Sequence, residues 1–490
     1  MPLYSDGLPD PLQRVHIMGI CGTAMGAIAG MLVDAGYTVT GSDKGVYPPM
    51  SDYLAGLGID VMEGFNAANL DREPPPELVV VGNVIRAIYE EAVALVDRDL
   101  PYCSFPHLLG ELFLKQSRSI VVAGTHGKTT TTALAAWMAD GVGLNPGYLI
   151  GGVVVGWDRT ARAGGGSHFV IEGDEYDTPF FDKEPKFLHY RARTAILTSV
   201  EFDHADIYRD LDHVQQSFRK LVAGMPEDGL LIARWDHPEV REVCADAPCE
   251  VWGYGPGQDW DGRVDSVDHD AGTMTFTVTR DGQPIGSFTS CMVGEHNLYN
   301  QVAAVASLIR EGCDPAALAD ALKTFRGIKR RQQVLAEPGG VTVLDDFAHH
   351  PTAVLLTLGA LRMRFGGRRL WAIFEPRSAS SRRRVFQQAY AGAFDVADQV
   401  IIAPLHDPSG IPEDERLDPE GLAAAVRARG REAMHLPDVD AIVATVAANA
   451  MEGDVVAVMS NGGFGGLHSK LIAALEARFA RSSEAGQSPR

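Results

Sequence analysis

The 490 residues carry 43 Lys and Arg against 64 Asp and Glu, a formal net charge of -21. That balance excludes a general binder of nucleic acid or anionic membrane, which needs a basic face, and leaves any anionic substrate to be met by local positive sites. The length exceeds one ordinary core and predicts about three domains. The first residues, MPLYSDGLPDPLQR, lack a basic region followed by an apolar core, and no apolar run reaches a membrane span, so neither secretion nor membrane insertion is expected. Cys21, Cys103, Cys244, Cys249, Cys291 and Cys313 are scattered without a CxxC pair. They read as free thiols suited to a reducing cytosol.

From Arg14 to Asp43 the pattern is strand, glycine turn, helix, strand, closing on an acidic residue. Gly19, Gly22 and Gly26 do not match G-x-G-x-x-G, so a nicotinamide dinucleotide is not indicated. A tight packing turn would account for these glycines. The functional reading puts a diphosphate on the helix starting near Thr23, with Ser42 and Asp43 turned to a sugar or base. A strand is expected within Glu77 to Arg86 and one helix from Pro106 to Gln116, and the first domain is expected to end near residue 117.

The second block opens on SIVVAGTHGKTTTTALAAWM, Ser119 to Met138, an apolar strand, a glycine turn and a helix. This order predicts a phosphate cradle. Main-chain N–H groups of Gly124, Thr125, His126, Gly127 and the first helical residues through Thr130 close around an anion, Lys128 reaches the outer phosphates, and the Thr129 hydroxyl can hold Mg²⁺. Where the common phosphate loop has its first glycine, this chain has Val122, so the loop is a shorter variant. Next, a strand at Phe169 to Ile171 delivers Glu172, Asp174, Glu175 and Asp177, either a solvated acidic loop or carboxylate oxygen for a metal beside the phosphates. A further strand, Ala195 to Val200, delivers Glu201, Asp203 and His204, with His204 a candidate second metal position.

The segment Val251 to Met292 reads as antiparallel hairpins, with turns at Asp261-Gly262 and Asp281-Gly282. Asn297 and Asn300 lie one turn apart on one helix face, where an amide can pair with an adenine edge or, for Asn297, cap the helix. Lys329, Arg330 and Arg331 then form a basic turn, either exposed or an anion clamp. The last block repeats strand then helix, starting with Val341 to Leu344 and DDFAHHPT, which contains Asp346. It predicts a second open parallel sheet. Expected boundaries are 1–117, 118–332 and 333–480, with a small polar, disordered tail at 481–490.

GTHGKTTTT, VIEGDEYD, EFDH, EHNLYN, the arginine-rich turn and DDFAHHPT, in this order, resemble the Mur ligases, ATP-dependent amide-forming enzymes of peptidoglycan assembly. The resemblance implies a three-domain α/β fold: a Rossmann-like domain for a UDP-sugar, a central P-loop ATPase-type domain and a Rossmann-like C-terminal ligase domain. It implies ATP and Mg²⁺, with Lys128 on the γ-phosphate, Thr129, Glu172 and His204 at the metal, and Arg331 meeting phosphate from across the boundary. Asn297 and Asn300 would lie at adenine and Asp346 at the ribose, while Gly19, Gly22 and Gly26 would approach the UDP diphosphate and Asp43 the uridine end.

The implied reaction is cytoplasmic, by a monomer or weak homo-oligomer, joining UDP-N-acetylmuramate to the murein tripeptide L-alanyl-γ-D-glutamyl-meso-diaminopimelate. Addition of L-alanine alone is the alternative within the family, and a P-loop nucleotide switch the alternative outside it. Two carry-overs stay open. The position aligned with the carbamoylated lysine of many relatives is Arg219, beside Lys220, and Arg377 in EPRSASSRRR is suggested for the arginine motif of diaminopimelate-adding relatives.

Overall fold

The computed structural model describes residues 7–485, built on three sheets. The first comprises β1 (Arg14–Met18), β2 (Thr38–Asp43), β3 (Val61–Glu63), β4 (Leu78–Val81) and β5 (Tyr102–Ser104), all parallel, in the order β3-β2-β1-β4-β5. The helix Thr23–Asp34 follows β1 directly. Of the strand expected within Glu77 to Arg86, only Leu78–Val81 is extended. The expected helix over Pro106 to Gln116 is divided: Phe105–Leu109 is α-helical and Gly110–Leu114 is wound more widely. A side chain at Gly110 would collide with the His189 carbonyl, its Cβ falling 2.2 Å from that oxygen.

The central sheet has ten strands: β6 (Arg118–Ala123), β7 (Gly147–Leu149), β8 (Ala161–Arg162), β9 (His168–Gly173), β10 (Thr194–Leu197), β11 (Leu230–Arg234), β12 (Glu250–Tyr254), β13 (Trp260–Asp268), β14 (Thr273–Arg280) and β15 (Gln283–Ser290). Their order is β15-β14-β13-β12-β11-β10-β6-β9-β7-β8. Ile120, Val121, Val122 and Ala123 have no exposure, as expected of a strand covered on both faces. The β12 strand is parallel to β11, so within the segment Val251 to Met292 the antiparallel pairing runs only from β13 to β15, and at the other edge of the sheet β8 is antiparallel to β7. Asp281-Gly282 does turn β14 into β15, but Asp261-Gly262 lies inside β13, opposite Thr279 and Val278. Gly262 is there for packing, since a Cβ would sit 2.9 Å from both Leu298 Cδ1 and Val302 Cγ2 of the helix Glu295–Arg310.

The third sheet contains β16 (Gln333–Ala336), β17 (Thr342–Asp346), β18 (Leu370–Phe374), β19 (Gln399–Ile402), β20 (Glu432–His435) and β21 (Val455–Met459), in the order β16-β17-β21-β18-β19-β20. All pairs are parallel except β16 with β17. The last helix runs Leu467–Ala485, so residues 481–485, expected in the tail, continue it, and 486–490 lie outside the described residues. Among the described residues no helix is long and apolar enough to cross a membrane.

Register explains how separate motifs meet. The β6 strand lies between β9 and β10, with Val122 opposite Glu172 and Ala123 opposite both Gly173 and Leu197. The loops after these strands therefore emerge together, at the carboxyl edge where open α/β sheets hold ligands.

Candidate active site

The loop after β6 is fixed by its neighbour. The backbone N–H groups of Thr125 and His126 donate to the Ser199 carbonyl at 3.0 Å and its hydroxyl at 2.9 Å, and the Thr125 hydroxyl donates to the Glu201 carbonyl. Gly127 caps the helix Lys128–Gly141 at φ +83°, where a Cβ would fall 2.7 Å from Asn300 Oδ1. Glycine is thus required by both conformation and space. Above the loop is a cleft of about 330 Å³ between the central and third sheets, lined by residues 125–130, Glu172, His204, Asn297, Asn300, Arg331 and Asp346.

Charge is concentrated at its floor. Lys128 Nζ donates to Glu175 Oε2 at 2.9 Å and to the Gly124 carbonyl at 2.6 Å, and both side chains of the ion pair are buried. Burial works against the Lys128 charge, but Glu175, Asp174 and Glu172 overcome it and hold the ammonium above its usual range. Glu172 accepts the Thr129 hydroxyl at 2.8 Å and the Gly151 N–H at 2.7 Å. Its own burial, reinforced by Asp174, raises its carboxyl pKa. Burial also opposes charge on His204, yet the Glu175 contact at 3.4 Å and nearby Asp203 raise its pKa. His204 has φ +52°, a left-handed conformation uncommon for histidine.

Of the four clustered carboxylates, Asp174 pairs with Lys186 at 3.0 Å and Asp177 with Lys183 at 2.7 Å. Glu172 and Glu175 alone of the four bond to the loop residues Thr129 and Lys128. The third unit contributes Asp346 from the end of β17, which accepts the N–H groups of Gln332 and Ala348 at 2.7 and 2.8 Å. Arg331 reaches Thr129 Oγ1 at 3.5 Å across the boundary. Asn297 is not the cap: Gly294 caps its helix, and Asn297 donates to the Val293 carbonyl while accepting from Asn300 at 3.4 Å.

Gly124 does not line the cleft; it sits below, at φ +131°, where a Cβ would lie 2.2 Å from Thr198 Oγ1. Gly19, Gly22, Thr23, Gly26, Ser42 and Asp43 are also outside the cleft, gathered at the carboxyl edge of the first sheet. Gly22 and Thr23 are exposed at the helix start. Ser42 is fully buried, its carbonyl accepting the Gly19 and Ile20 N–H groups, so it shapes the turn rather than presenting a hydroxyl to a sugar. Asp43 accepts the Cys21 and Gly45 N–H groups, and Gly26 lets the helix approach Met50, whose sulfur would be 2.4 Å from a Cβ.

Arg219 and Lys220 do not line the cleft either, being paired at 2.6 Å with Glu242 and Glu184 respectively. Arg377 donates to His406 Nδ1 at 3.2 Å. Sequence reasoning left out the cleft residues Tyr176, His296, Gln332, Phe347 and His349. Tyr176, His296, Phe347 and His349 all lie within the quoted motifs VIEGDEYD, EHNLYN and DDFAHHPT, but nothing in those motifs says that their side chains face the cleft.

The Thr129 hydroxyl and the half-buried Glu172 carboxylate are oxygen donors 2.8 Å apart and fit Mg²⁺. The His204 imidazole fits it less well, because Mg²⁺ prefers oxygen.

Three family models match in chain order: Mur ligase family, catalytic domain, at 14–117; Mur ligase middle domain at 122–308; and Mur ligase, glutamate ligase domain, at 330–462. The chain is 39% identical over 481 residues, 97% of its length and 100% of the relative's, to UDP-N-acetylmuramate L-alanyl-γ-D-glutamyl-meso-2,6-diaminoheptandioate ligase of Escherichia coli. It is 32% identical over 396 residues, covering 81% of this chain and 83% of the other, to UDP-N-acetylmuramate L-alanine ligase of Alkaliphilus metalliredigens. Among solved structures it resembles a murein peptide ligase from Psychrobacter arcticus at TM-score 0.67 and 35% identity, covering 95% of this chain and 99% of the other. With three matching models in order and identity sustained end to end, the chain belongs to the Mur ligase family.

Proposed function

We propose that this protein is an ATP-dependent ligase that joins UDP-N-acetylmuramate to L-alanyl-γ-D-glutamyl-meso-diaminopimelate, releasing ADP and phosphate. Full-length identity to the Escherichia coli ligase supports the choice of substrates. The observation that carries the chemistry is Lys128, buried at the foot of a glycine loop and facing a cleft that also receives Asp346 and Arg331.

An amide does not form usefully from a carboxylate and an amine in water, because oxide is too poor a leaving group. In the proposed course a muramate carboxylate oxygen bonds to the γ-phosphorus while the bond to the β-phosphate oxygen breaks, giving an acyl-phosphate and ADP. The tripeptide's L-alanyl amine then attacks the acyl carbon, loses its proton, and phosphate leaves. Both reactants of the first step are anions, so positive charge must be in place beforehand. Lys128 provides it at the γ-phosphate, in competition with its Glu175 partner, and Arg331 provides it from the connection to the third unit. Thr129 and Glu172 would hold Mg²⁺, which neutralises phosphate charge when bound. Asp346 and His349 line the cleft from the third unit, and approach of that unit to the phosphate loop would keep water from the acyl-phosphate.

The N-terminal turn at Gly19, Gly22 and Thr23 would take the UDP diphosphate, with units at 1–117, 118–332 and 333–480 contributing one substrate site each. Supplying ATP and UDP-N-acetylmuramate with either the tripeptide or L-alanine, and weighing the products, tests the assignment. The tripeptide adduct is expected; an L-alanine adduct alone would assign the sibling reaction, and ATP turnover without any amide would reject ligase activity.

A further inference from the structure

Beside the phosphate loop, three side chains from separate segments converge, the His126 and His350 rings with centroids 4.7 Å apart and both facing Glu201. His126 belongs to the loop itself, Glu201 follows β10, and His350 starts the helix Pro351–Phe365 of the third unit. One donor atom from each lies within 4.8 Å of the other two. His126 Nε2 is 3.7 Å and His350 Nδ1 is 3.8 Å from the same oxygen, Glu201 Oε2. These separations exceed hydrogen bonds. They are a few tenths of an ångström wider than the roughly 3.3–3.5 Å between neighbouring donors around a tetrahedral ion with bonds near 2.0–2.1 Å.

We propose that His126, Glu201 and His350 form a site for a divalent transition metal of the Zn²⁺ or Co²⁺ class, distinct from the position at Thr129 and Glu172, and that this ion fastens the third unit to the phosphate loop.

The surroundings are those of a ligand set. The His350 ring lies with Nε2 at 3.2 Å from the Phe202 carbonyl, which can only accept, so Nε2 carries the proton and Nδ1, 3.8 Å from Glu201 Oε2, keeps its lone pair. Such an outer hydrogen bond fixes the tautomer of a metal-bound histidine. The competing interaction at Nδ1, from the Thr352 N–H at 3.3 Å, is long. His126 Nε2 is buried and has no hydrogen-bond partner. Thr352 Oγ1 donates to Glu201 Oε2 at 2.6 Å, steadying the carboxylate, and the Phe386 ring stands edge to face on His350 at 5.3 Å, walling off water. Two imidazoles and one carboxylate suit Zn²⁺ or Co²⁺ better than Mg²⁺, and three protein ligands leave a fourth position for solvent.

The test is a Co²⁺ titration of the metal-stripped full-length chain in saturating Mg²⁺, followed by visible absorption. One Co²⁺ per chain with a ligand-field band is expected. His350→Asn retains a side chain able to cap the helix but removes the imidazole. It should weaken Co²⁺ binding at least as much as the roughly 10–100-fold caused by loss of an outer-shell partner. Glu172→Gln should leave the band in place. Near-UV circular dichroism verifies folding; should His350→Asn fail to fold, His126→Ala is read in the same way. No band in the wild-type chain, a band undiminished in the folded variant, or a band abolished by Glu172→Gln instead would each overturn the proposal.

Discussion

A lysine buried at the foot of a cleft stays charged only if something nearby compensates it, and Lys128 has Glu175 at 2.9 Å with Glu172 and Asp174 behind it. The pair makes two separable predictions. Lys128→Ala removes the cation proposed to meet the γ-phosphate, and we expect ATP-dependent amide formation to fall by at least the roughly 10²–10³-fold seen when one transition-state donor is lost. Glu175→Gln leaves the ammonium without its nearest counter-charge and should cost about 3–5 kcal/mol of stability, read by chemical denaturation. Near-normal turnover of the first variant would remove Lys128 from the mechanism. Unchanged stability of the second would mean that Glu172 and Asp174 suffice. Gly127 is as tightly specified: an alanine there must adopt φ +83° with its Cβ 2.7 Å from Asn300 Oδ1, so a loss of at least about 1–2 kcal/mol is expected in the same measurement.

Between elements, the pairing of β9 with the end of the helix Glu295–Arg310 gives a pH signature. Glu311, just beyond that helix, accepts from His168 at 3.1 Å and pairs with Arg118 at 2.8 Å. Burial works to raise its pKa, but the His168 hydrogen bond and the Arg118 charge prevail and hold it below its ordinary value of 4.5. A depressed carboxylate stabilises the fold above that ordinary value, and its contribution disappears as pH falls through the lower folded-state value. Glu311→Gln should therefore cost stability at pH 7 and progressively less below pH 4.5, in denaturant titrations at several pH values. A pH-independent difference would deny the linkage.

Strand, loop and helix around Lys128 were legible because apolar run, glycine turn and helical spacing fall in one uninterrupted stretch. The acidic and asparagine motifs could likewise be placed on their elements. What sequence could not supply was direction. Nothing in EGDEYD distinguishes Glu172 and Glu175, which bond to the phosphate loop, from Asp177, which pairs with Lys183. Nor does local sequence say that Gly262 serves a helix crossing 36 residues later, so its DG pair read as a turn. Gly110 presents the same difficulty, because the His189 carbonyl that excludes a side chain arrives from another segment.

Across the whole molecule, the cleft is a product of assembly. The central unit supplies the phosphate loop and carboxylates, the third unit supplies Asp346 and His349, and Arg331 joins them from the connection. The acidic loop also touches the first unit, where Asn83 donates to the Asp177 carbonyl at 2.6 Å and Tyr102 meets Phe181 edge to face. The turn proposed for the sugar nucleotide and the phosphate loop proposed for ATP thus belong to units that touch through this acidic loop. Because Arg331 spans the boundary, Arg331→Ala should lower kcat about 10²-fold while changing the KM for the tripeptide little. A rise in KM alone would make it a binding residue instead.

The central claim is that ATP's terminal phosphoryl group activates the muramate carboxylate. It is tested most directly by supplying UDP-N-acetylmuramate labelled with ¹⁸O in that carboxylate and analysing the phosphate released during coupling to the tripeptide. The account predicts one labelled oxygen transferred to phosphate for each amide formed. Unlabelled phosphate accumulating alongside the coupled product would contradict it.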